Sequence, residues 1–135
     1  MCKMTTPLHK WLTERPLSKR LKDAQTVRDK YPDRLPIVVF PANDHTPCIS
    51  AHKFLVPEDL TVAQFIHLLR LRITLKPEQA IFVFATTSAT STSTNTNTHD
   101  VLVNSTDLIK LVYHRYKSDV DSFLYLVYDI ENTFG

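Results

Sequence analysis

Leu60–Ile73 reads LTVAQFIHLLRLRI. Thr61 followed three residues later by Gln64 is a capping box, in which each side chain satisfies a backbone N–H that the first helical turn leaves without a partner. Leu60 before the cap and Phe65 at the fourth helical position form a hydrophobic staple across it. Val62, Phe65, Ile66, Leu69 and Ile73 then recur at helical spacing, so the helix has one apolar face that must lie against something. The helix ends before Pro77, which cannot continue it.

What flanks this helix supplies the surface. Upstream, Leu35–Phe40 (LPIVVF) is apolar without alternation, the pattern of a strand covered on both faces. PANDHTP, residues 41–47, is turn chemistry, and Ile49–Val56 reads as a second strand, so the two form an antiparallel hairpin. Downstream, Ala80–Ala85 (AIFVFA) is a third strand. Ser105 or Thr106 restarts a helix carrying Leu108, Ile109, Val112 and Tyr116, and Phe123–Tyr128 (FLYLVY) is a fourth strand, again apolar throughout. The tail that follows, DIENTFG, reads as leaving the domain.

Ahead of all this, Pro7 and Pro16 bracket a short helical piece holding Leu8, Trp11 and Leu12. Leu17–Lys30 is a charged helix with Leu21, Ala24 and Val27 as a thin apolar stripe, ended by Pro32. Two helices followed by β-β-α-β-α-β predict an α+β protein, a β-grasp with a four-stranded mixed sheet and two additional N-terminal helices. The first and fourth strands are central, the second is an edge, the long helix crosses one face and the N-terminal helices cover the other.

The 135 residues suit one domain with one core. The only glycine is the last residue, Gly135. Its absence elsewhere excludes a Walker loop, a dinucleotide-binding fingerprint and a G-x-S-x-G nucleophile elbow. Residues 1–36 hold nine Lys/Arg against four Asp/Glu, and the rest holds seven against ten, so a basic head precedes a mildly acidic body. Two cysteines, Cys2 and Cys48, make no disulfide framework, and the N-terminus lacks a signal peptide's apolar region. These point to a reducing, cytoplasmic setting. Residues 86–98 (TTSATSTSTNTNT) have almost nothing to bury and predict a flexible loop.

Three stretches are particular: KYPDRLP (Lys30–Pro36), HKFLVPEDLTVAQF (His52–Phe65) and FLYLVYDIENTFG (Phe123–Gly135). They resemble the autophagy ubiquitin-like modifiers, the family of the GABA-receptor-associated protein and microtubule-associated protein light chain 3. The resemblance runs from about Arg15 to Gly135, interrupted at the Thr/Ser/Asn loop. It implies a ubiquitin-like domain over 15–131, an N-terminal extension over 1–14 and a conjugation tail over 132–135. It also implies a protein that is not an enzyme and needs no metal or cofactor. Its terminal glycine would be lipid-conjugated to phosphatidylethanolamine by E1-like activating and E2-like conjugating enzymes. Such proteins support autophagosome formation and recruit cargo receptors with a short W/F/Y-x-x-L/I/V motif. Relatives are processed or delipidated by a cysteine protease and bind microtubules through the basic N-terminal region, and no nucleic acid is expected. The expected location is cytoplasmic, and on the autophagosome membrane once conjugated.

The chemistry of these sites follows from their residues. Gly135 has no Cβ, so its carbonyl is open to successive nucleophiles in a narrow groove. An edge strand accepts an extended peptide through its backbone, with pockets on either side for alternate side chains. Lys53 and Leu55 point to one face, and Phe54 and Val56 to the other. By resemblance, Asp23, Val27, Pro36, Val38, Lys53, Leu55 and Phe123 line the pocket for the ligand's aromatic residue. Phe54, Val56, Pro57, Leu60, Phe65 and Leu68 line the pocket for the aliphatic one, and Arg34, Lys53 and Arg72 meet acidic flanks. Two departures stand out: Ala51 replaces a residue often basic in relatives, and Leu17-Ser18 replaces a usual Phe-Glu pair.

Other functions remain to be weighed. A non-conjugated adaptor would use the same surface for peptides or microtubules, and a modifier attached to protein lysines would use the same glycine. His45, Cys48 and His52 lie close enough in sequence to suggest a Cys–His nucleophile or a metal site, but no third orienting residue or ligand quartet accompanies them. Asp119 and Asp121 sit in a turn and read as solubilising.

Overall fold

In chain order the elements are α1 (Leu8–Glu14), α2 (Leu17–Lys30), β1 (Arg34–Pro41), β2 (Lys53–Pro57), α3 (Val62–Arg72), β3 (Gln79–Ala85), β4 (Val101–Leu102), α4 (Ile109–Tyr116) and β5 (Leu124–Asn132). The structure is a computed structural model, and it describes residues 8–42, 46–47, 49, 51–86, 101–118 and 121–132.

The capping box forms as the sequence requires. Gln64 N–H donates to Thr61 Oγ1 at 3.2 Å, and Thr61 N–H donates to Gln64 Oε1 at 2.9 Å. Phe65 and Leu69 are fully buried, and Leu60 packs beside them, which completes the staple. At the other helix of this length class, Tyr31 N–H closes the last turn of α2 on Val27 O at 2.8 Å, one residue before Pro32.

The strands form one sheet in the order β2-β1-β5-β3-β4. β1 runs parallel to β5, with Ile37 opposite Leu124, and antiparallel to β2, with Ile37 opposite Phe54. Strand alternation then divides β1 between two cores. Leu35, Ile37 and Val39 join Leu124, Leu126 and Tyr128 beneath α3 and α4. Val38 and Phe40 face the other way and meet Phe123, Tyr125, Ala24 and Trp11 beneath the N-terminal helices. Double coverage is why β1 and β5 lack polar alternation. The second core is built on rings: Trp11 makes edge-on contacts with Phe40, Phe123 and Tyr125 at centroid distances of 6.0, 6.4 and 6.0 Å.

Four expectations are corrected. The sheet has five strands, because Val101–Leu102 pairs antiparallel with Ala85 and Phe84. Two residues are too few to show a period. α4 begins at Ile109, not at Ser105 or Thr106, because Asn104 Oδ1 accepts from Thr106 N–H at 3.1 Å and holds a turn there. β2 begins at Lys53 rather than Ile49, although Ile49 is buried. The tail does not leave at Asp129: Asp129–Asn132 continue β5 and pair with Phe82–Gln79. The 86–98 loop beyond Thr86 lies outside the described residues.

Asp121 corrects the remaining reading. It is fully buried, and Arg20 Nη1 of α2 meets its Oδ2 at 2.5 Å. Tyr125 Oη donates to the same oxygen, and Phe123 N–H donates to Oδ1 at 3.1 Å. Burial first, and then the bond to this carboxylate, holds the Tyr125 hydroxyl well above the ordinary tyrosine range. Next to it Ser122 has φ 66°, the one positive-φ residue among those described. A chain without internal glycine makes this turn with a serine, held by Ser122 N–H donating to Ser118 O at 2.9 Å and by Tyr113 Oη donating to Ser122 O at 2.6 Å.

Candidate functional site

β2 pairs with β1 and with no other described strand, so its outer edge is open. Its alternation is as expected. Lys53 faces α2, where its Nζ lies 3.6 Å from Asp23 Oδ2. Phe54 faces α3, where its ring meets Phe65 edge-on at 5.8 Å.

On the α2 side, Val38 and Phe123 are buried in the second core, Pro36 is buried on β1, and Val27 and Leu55 are half-buried. The Asp23–Lys53 pair links α2 to β2 on this side. On the α3 side, Val56 and Phe65 belong to the main core, while Phe54, Pro57 and Leu60 are half-buried and Leu68 is exposed. Several of the apolar residues assigned to the two pockets therefore belong to the core.

The three cations do not form one patch. Arg34 lies opposite Pro57 and Lys53 opposite Val38, so they mark the two ends of the β2 edge, roughly 13 Å apart along an extended chain. Arg72 ends α3 and is exposed. Arg20, counted with the basic head, is spent on Asp121, whereas Lys19, Lys22 and Lys30 are exposed on α2.

Trp11 had no role in the sequence reading. It is 2% exposed, with Arg15 Cζ 4.5 Å and Lys53 Nζ 5.9 Å from its ring centroid. The signal available was a lone tryptophan three residues after Leu8 and beside Leu12, between Pro7 and Pro16. An apolar hollow of about 540 Å³ opens at the far side of the sheet between Ile66, Phe82 and Leu102. Phe82 and Leu102 are exposed there, and neither sequence period nor motif marked it.

Of the three residues behind the nucleophile and metal alternatives, His52 is the described one. His52 Nδ1 lies 3.0 Å from Val39 O and its ring stacks on Phe40 at 4.4 Å, so the imidazole is engaged in holding β1 and β2. Among the described residues no group of three or more His, Cys, Asp or Glu could hold a metal. His45, Cys48 and Asp119 lie outside the described residues. So does Gly135, three positions after the end of β5.

A mixed sheet with a helix crossing one face, helices added on the other and an open second strand defines a ubiquitin-like protein. Comparison with known proteins narrows this. The family model "Autophagy protein Atg8 ubiquitin like" matches residues 19–135. Autophagy-related protein 8d of Arabidopsis thaliana is 42% identical over 123 residues, covering 90% of this chain and 91% of the relative. Autophagy-related protein 8 of Mycosarcoma maydis is 42% identical over 124 residues, covering 90% and 92%. The crystal structure of Trypanosoma brucei ATG8 superposes with a TM-score of 0.76 at 36% identity, covering 93% of this chain and 97% of that one. Plasmodium falciparum Atg8, solved in complex with a P. falciparum Atg3 peptide, superposes with a TM-score of 0.70 at 26% identity, covering 92% and 96%. The chain belongs to the Atg8 family of autophagy ubiquitin-like proteins.

Proposed function

We propose that this protein is a lipid-conjugated autophagy modifier. Gly135 is activated and transferred to phosphatidylethanolamine, and the β2 edge then docks partners carrying an aromatic-x-x-aliphatic motif. The observation that carries the docking half is β2 itself, open on one side, with Lys53 and Leu55 turned toward α2 and Phe54 and Val56 toward α3. A peptide added there gains backbone hydrogen bonds along the strand and places alternate side chains on the two faces. The Atg3 peptide bound to the Plasmodium relative supports a conjugating enzyme among the partners. Membership of the family supports the conjugation half.

Conjugation gives the protein a membrane hold. Among the described residues no helix is long and apolar enough to cross a membrane. Two acyl chains at roughly 0.8 kcal/mol per buried CH₂ are enough for stable anchoring. The acidic flank of a docked motif meets Arg34 at one end of β2 or Lys53 at the other, which raises on-rate and sets direction. The same reading assigns processing and delipidation to a cysteine protease, places the free form in the cytoplasm and the conjugate on the autophagosome membrane, and gives microtubules the exposed lysines of α2.

The test incubates the protein with activating and conjugating enzymes of an Atg8 system, ATP and phosphatidylethanolamine liposomes. A Gly135-dependent adduct with the mass of the lipid is expected, and Gly135→Ala sharply reduces it. No adduct while a control relative is lipidated refutes the conjugation half, and an adduct of protein mass replaces lipid by a lysine target. Docking is tested with an acidic W-x-x-L peptide, whose binding Leu55→Arg should abolish.

A further inference from the structure

We propose that a hollow between α2 and α4 binds a compact ligand carrying two or more phosphate groups, either free in solution or as a lipid headgroup. The inference goes beyond the conjugation and docking reading, and none of the residues assigned to either lines this hollow. Its volume is about 270 Å³, below the roughly 300–1,000 Å³ of pockets for drug-sized ligands, so its occupant is small. The α2 wall includes Leu21, Ala24 and Arg28, and the α4 side supplies Tyr113, His114 and Lys117. The Tyr113 hydroxyl is already used, donating to Ser122 O at 2.6 Å, which leaves its ring as the surface that cations flank. Arg28 Cζ lies 5.9 Å and Lys117 Nζ 5.7 Å from the centroid of that ring.

What these two cations lack is an anion. Both residues are half-buried, and among the described residues neither makes an ion pair. A cation drawn partly out of water without a countercharge is costly. Arg28 Nη1 donates to Arg34 O at 3.3 Å, a neutral acceptor that leaves the charge uncompensated. No carboxylate among the described residues lines the hollow. Asp121 is fully buried and held by Arg20, and Asp29 accepts from Gln25 Nε2 at 2.9 Å. Helix C-termini favour cations, but Lys30 and Arg115 meet that preference at the ends of α2 and α4 while exposed; Arg28 and Lys117 are the pair drawn in over a buried ring. A guanidinium fork takes two oxygens of one phosphate and an ammonium meets another as a point charge, so a ligand with separate phosphates matches the pair. Ser122 precedes β5 and Gly135 follows it, which puts the hollow about 30 Å from the proposed attachment point, at the other end of a nine-residue strand. Its occupancy therefore does not depend on conjugation.

Inositol trisphosphate, the soluble probe, is titrated into the full-length protein by calorimetry. Phosphatidylcholine vesicles containing phosphatidylinositol bisphosphate are the headgroup probe, compared with vesicles brought to the same charge by phosphatidylserine. Saturable binding to a phosphorylated probe is expected, weakening as salt rises. Arg28→Gln and Lys117→Gln should each lower affinity about tenfold. Lys19→Gln and Lys22→Gln, at exposed positions of α2 outside the hollow, should leave it unchanged. Gln25 lines the hollow and is exposed, so Gln25→Glu should abolish binding and Gln25→Lys should tighten it without removing a packed group. Circular dichroism confirms that each variant is folded. Binding of the free probe supports a soluble ligand, and binding to the bisphosphate vesicles alone supports a headgroup. No saturable binding to either probe overturns the proposal, as does equal binding to the phosphatidylserine vesicles. Binding that depends on Lys19 and Lys22 but not on Arg28, Lys117 or Gln25 overturns it in favour of the basic face of α2. Asp119 lies outside the described residues, two positions after Lys117, and binding that appears only in Asp119→Asn overturns it too, since Asp119 would then hold these cations.

Discussion

The tightest link between α2 and the sheet is a single ion pair, and its removal should be costly out of proportion to its surface. Asp121 is fully buried, and the Arg20 side chain is 12% exposed. Arg20→Met leaves the carboxylate with one hydroxyl and one N–H and no countercharge, a loss of about 3–5 kcal/mol. Asp121→Asn keeps one oxygen to accept from Phe123 N–H, puts an amide NH2 where the oxygen bonded to Tyr125 Oη stood, and strands a guanidinium that still reaches some water, at about 2 kcal/mol. The double variant buries no charge, so it should cost about 2–3 kcal/mol, far less than the two single losses together. Against a total stability of about 5–15 kcal/mol, Arg20→Met alone removes roughly a fifth or more. Urea unfolding followed by circular dichroism, with linear extrapolation, gives all three values. Asp23 and Val27 follow Arg20 on α2, so Arg20→Met should also weaken peptide docking at β2. Additivity of the single losses within about 0.5 kcal/mol would refute the reasoning, since it would mean the two side chains do not depend on each other.

Ser122→Gly should raise stability by up to about 1 kcal/mol, because glycine takes φ 66° without the Cβ clash. Ser122→Val at the same position should lower it by more, and thermal melts of the two variants separate this from any loss of the serine hydroxyl. Alkali should unfold the protein early. Burial, the leading cause in each case, raises the hydroxyls of Tyr113, Tyr125 and Tyr128 above the ordinary 10.0. The unfolded chain therefore loses these protons first, so stability is full below about pH 10 and falls as pH rises above it. Denaturant midpoints measured from pH 8 to 11.5 should be flat and then decline, and a flat profile throughout contradicts the burial of these three hydroxyls.

What could be read from the sequence was whatever repeats locally. The cap at Thr61, the stripe of α3 and the unbroken apolar runs of β1 and β5 each carry their evidence within a dozen residues, and each stands in the structure. What could not be read depends on partners far away in the chain. Asp121 among polar turn residues looks solvated; Arg20, 101 positions earlier, makes it a core residue. Trp11 has one apolar turn around it and no period, and it is the floor of β1 and β5 that gives it a place. β4 exists because β3 offers an edge, and its own two residues announce nothing. The lone glycine excluded whole classes of enzyme, but its corollary, a serine forced to positive φ, surfaced only in the backbone.

That β2 is an edge strand was legible in the sequence, and its composition limits what the proposed docking can accept. An exposed strand invites pairing with any chain, and proteins blunt such edges with short length, lysine and proline. β2 has all three: it is five residues long, with Lys53 at one end and Pro57 at the other. What remains between them is Phe54-Leu55-Val56, enough edge for a short extended segment and too little for indiscriminate sheet growth. Within that window the two faces are unequal. Phe54 and Val56 look into a core already closed by Phe65, whereas Leu55 is half-buried on the α2 side, next to the Lys53–Asp23 pair. In the docking proposed above, the aliphatic end of a ligand meets a packed wall, and the aromatic end meets a face bordered by the Lys53–Asp23 pair. Discrimination among partners should therefore be decided at the aromatic position and its acidic neighbour, with the aliphatic position setting a common baseline of affinity.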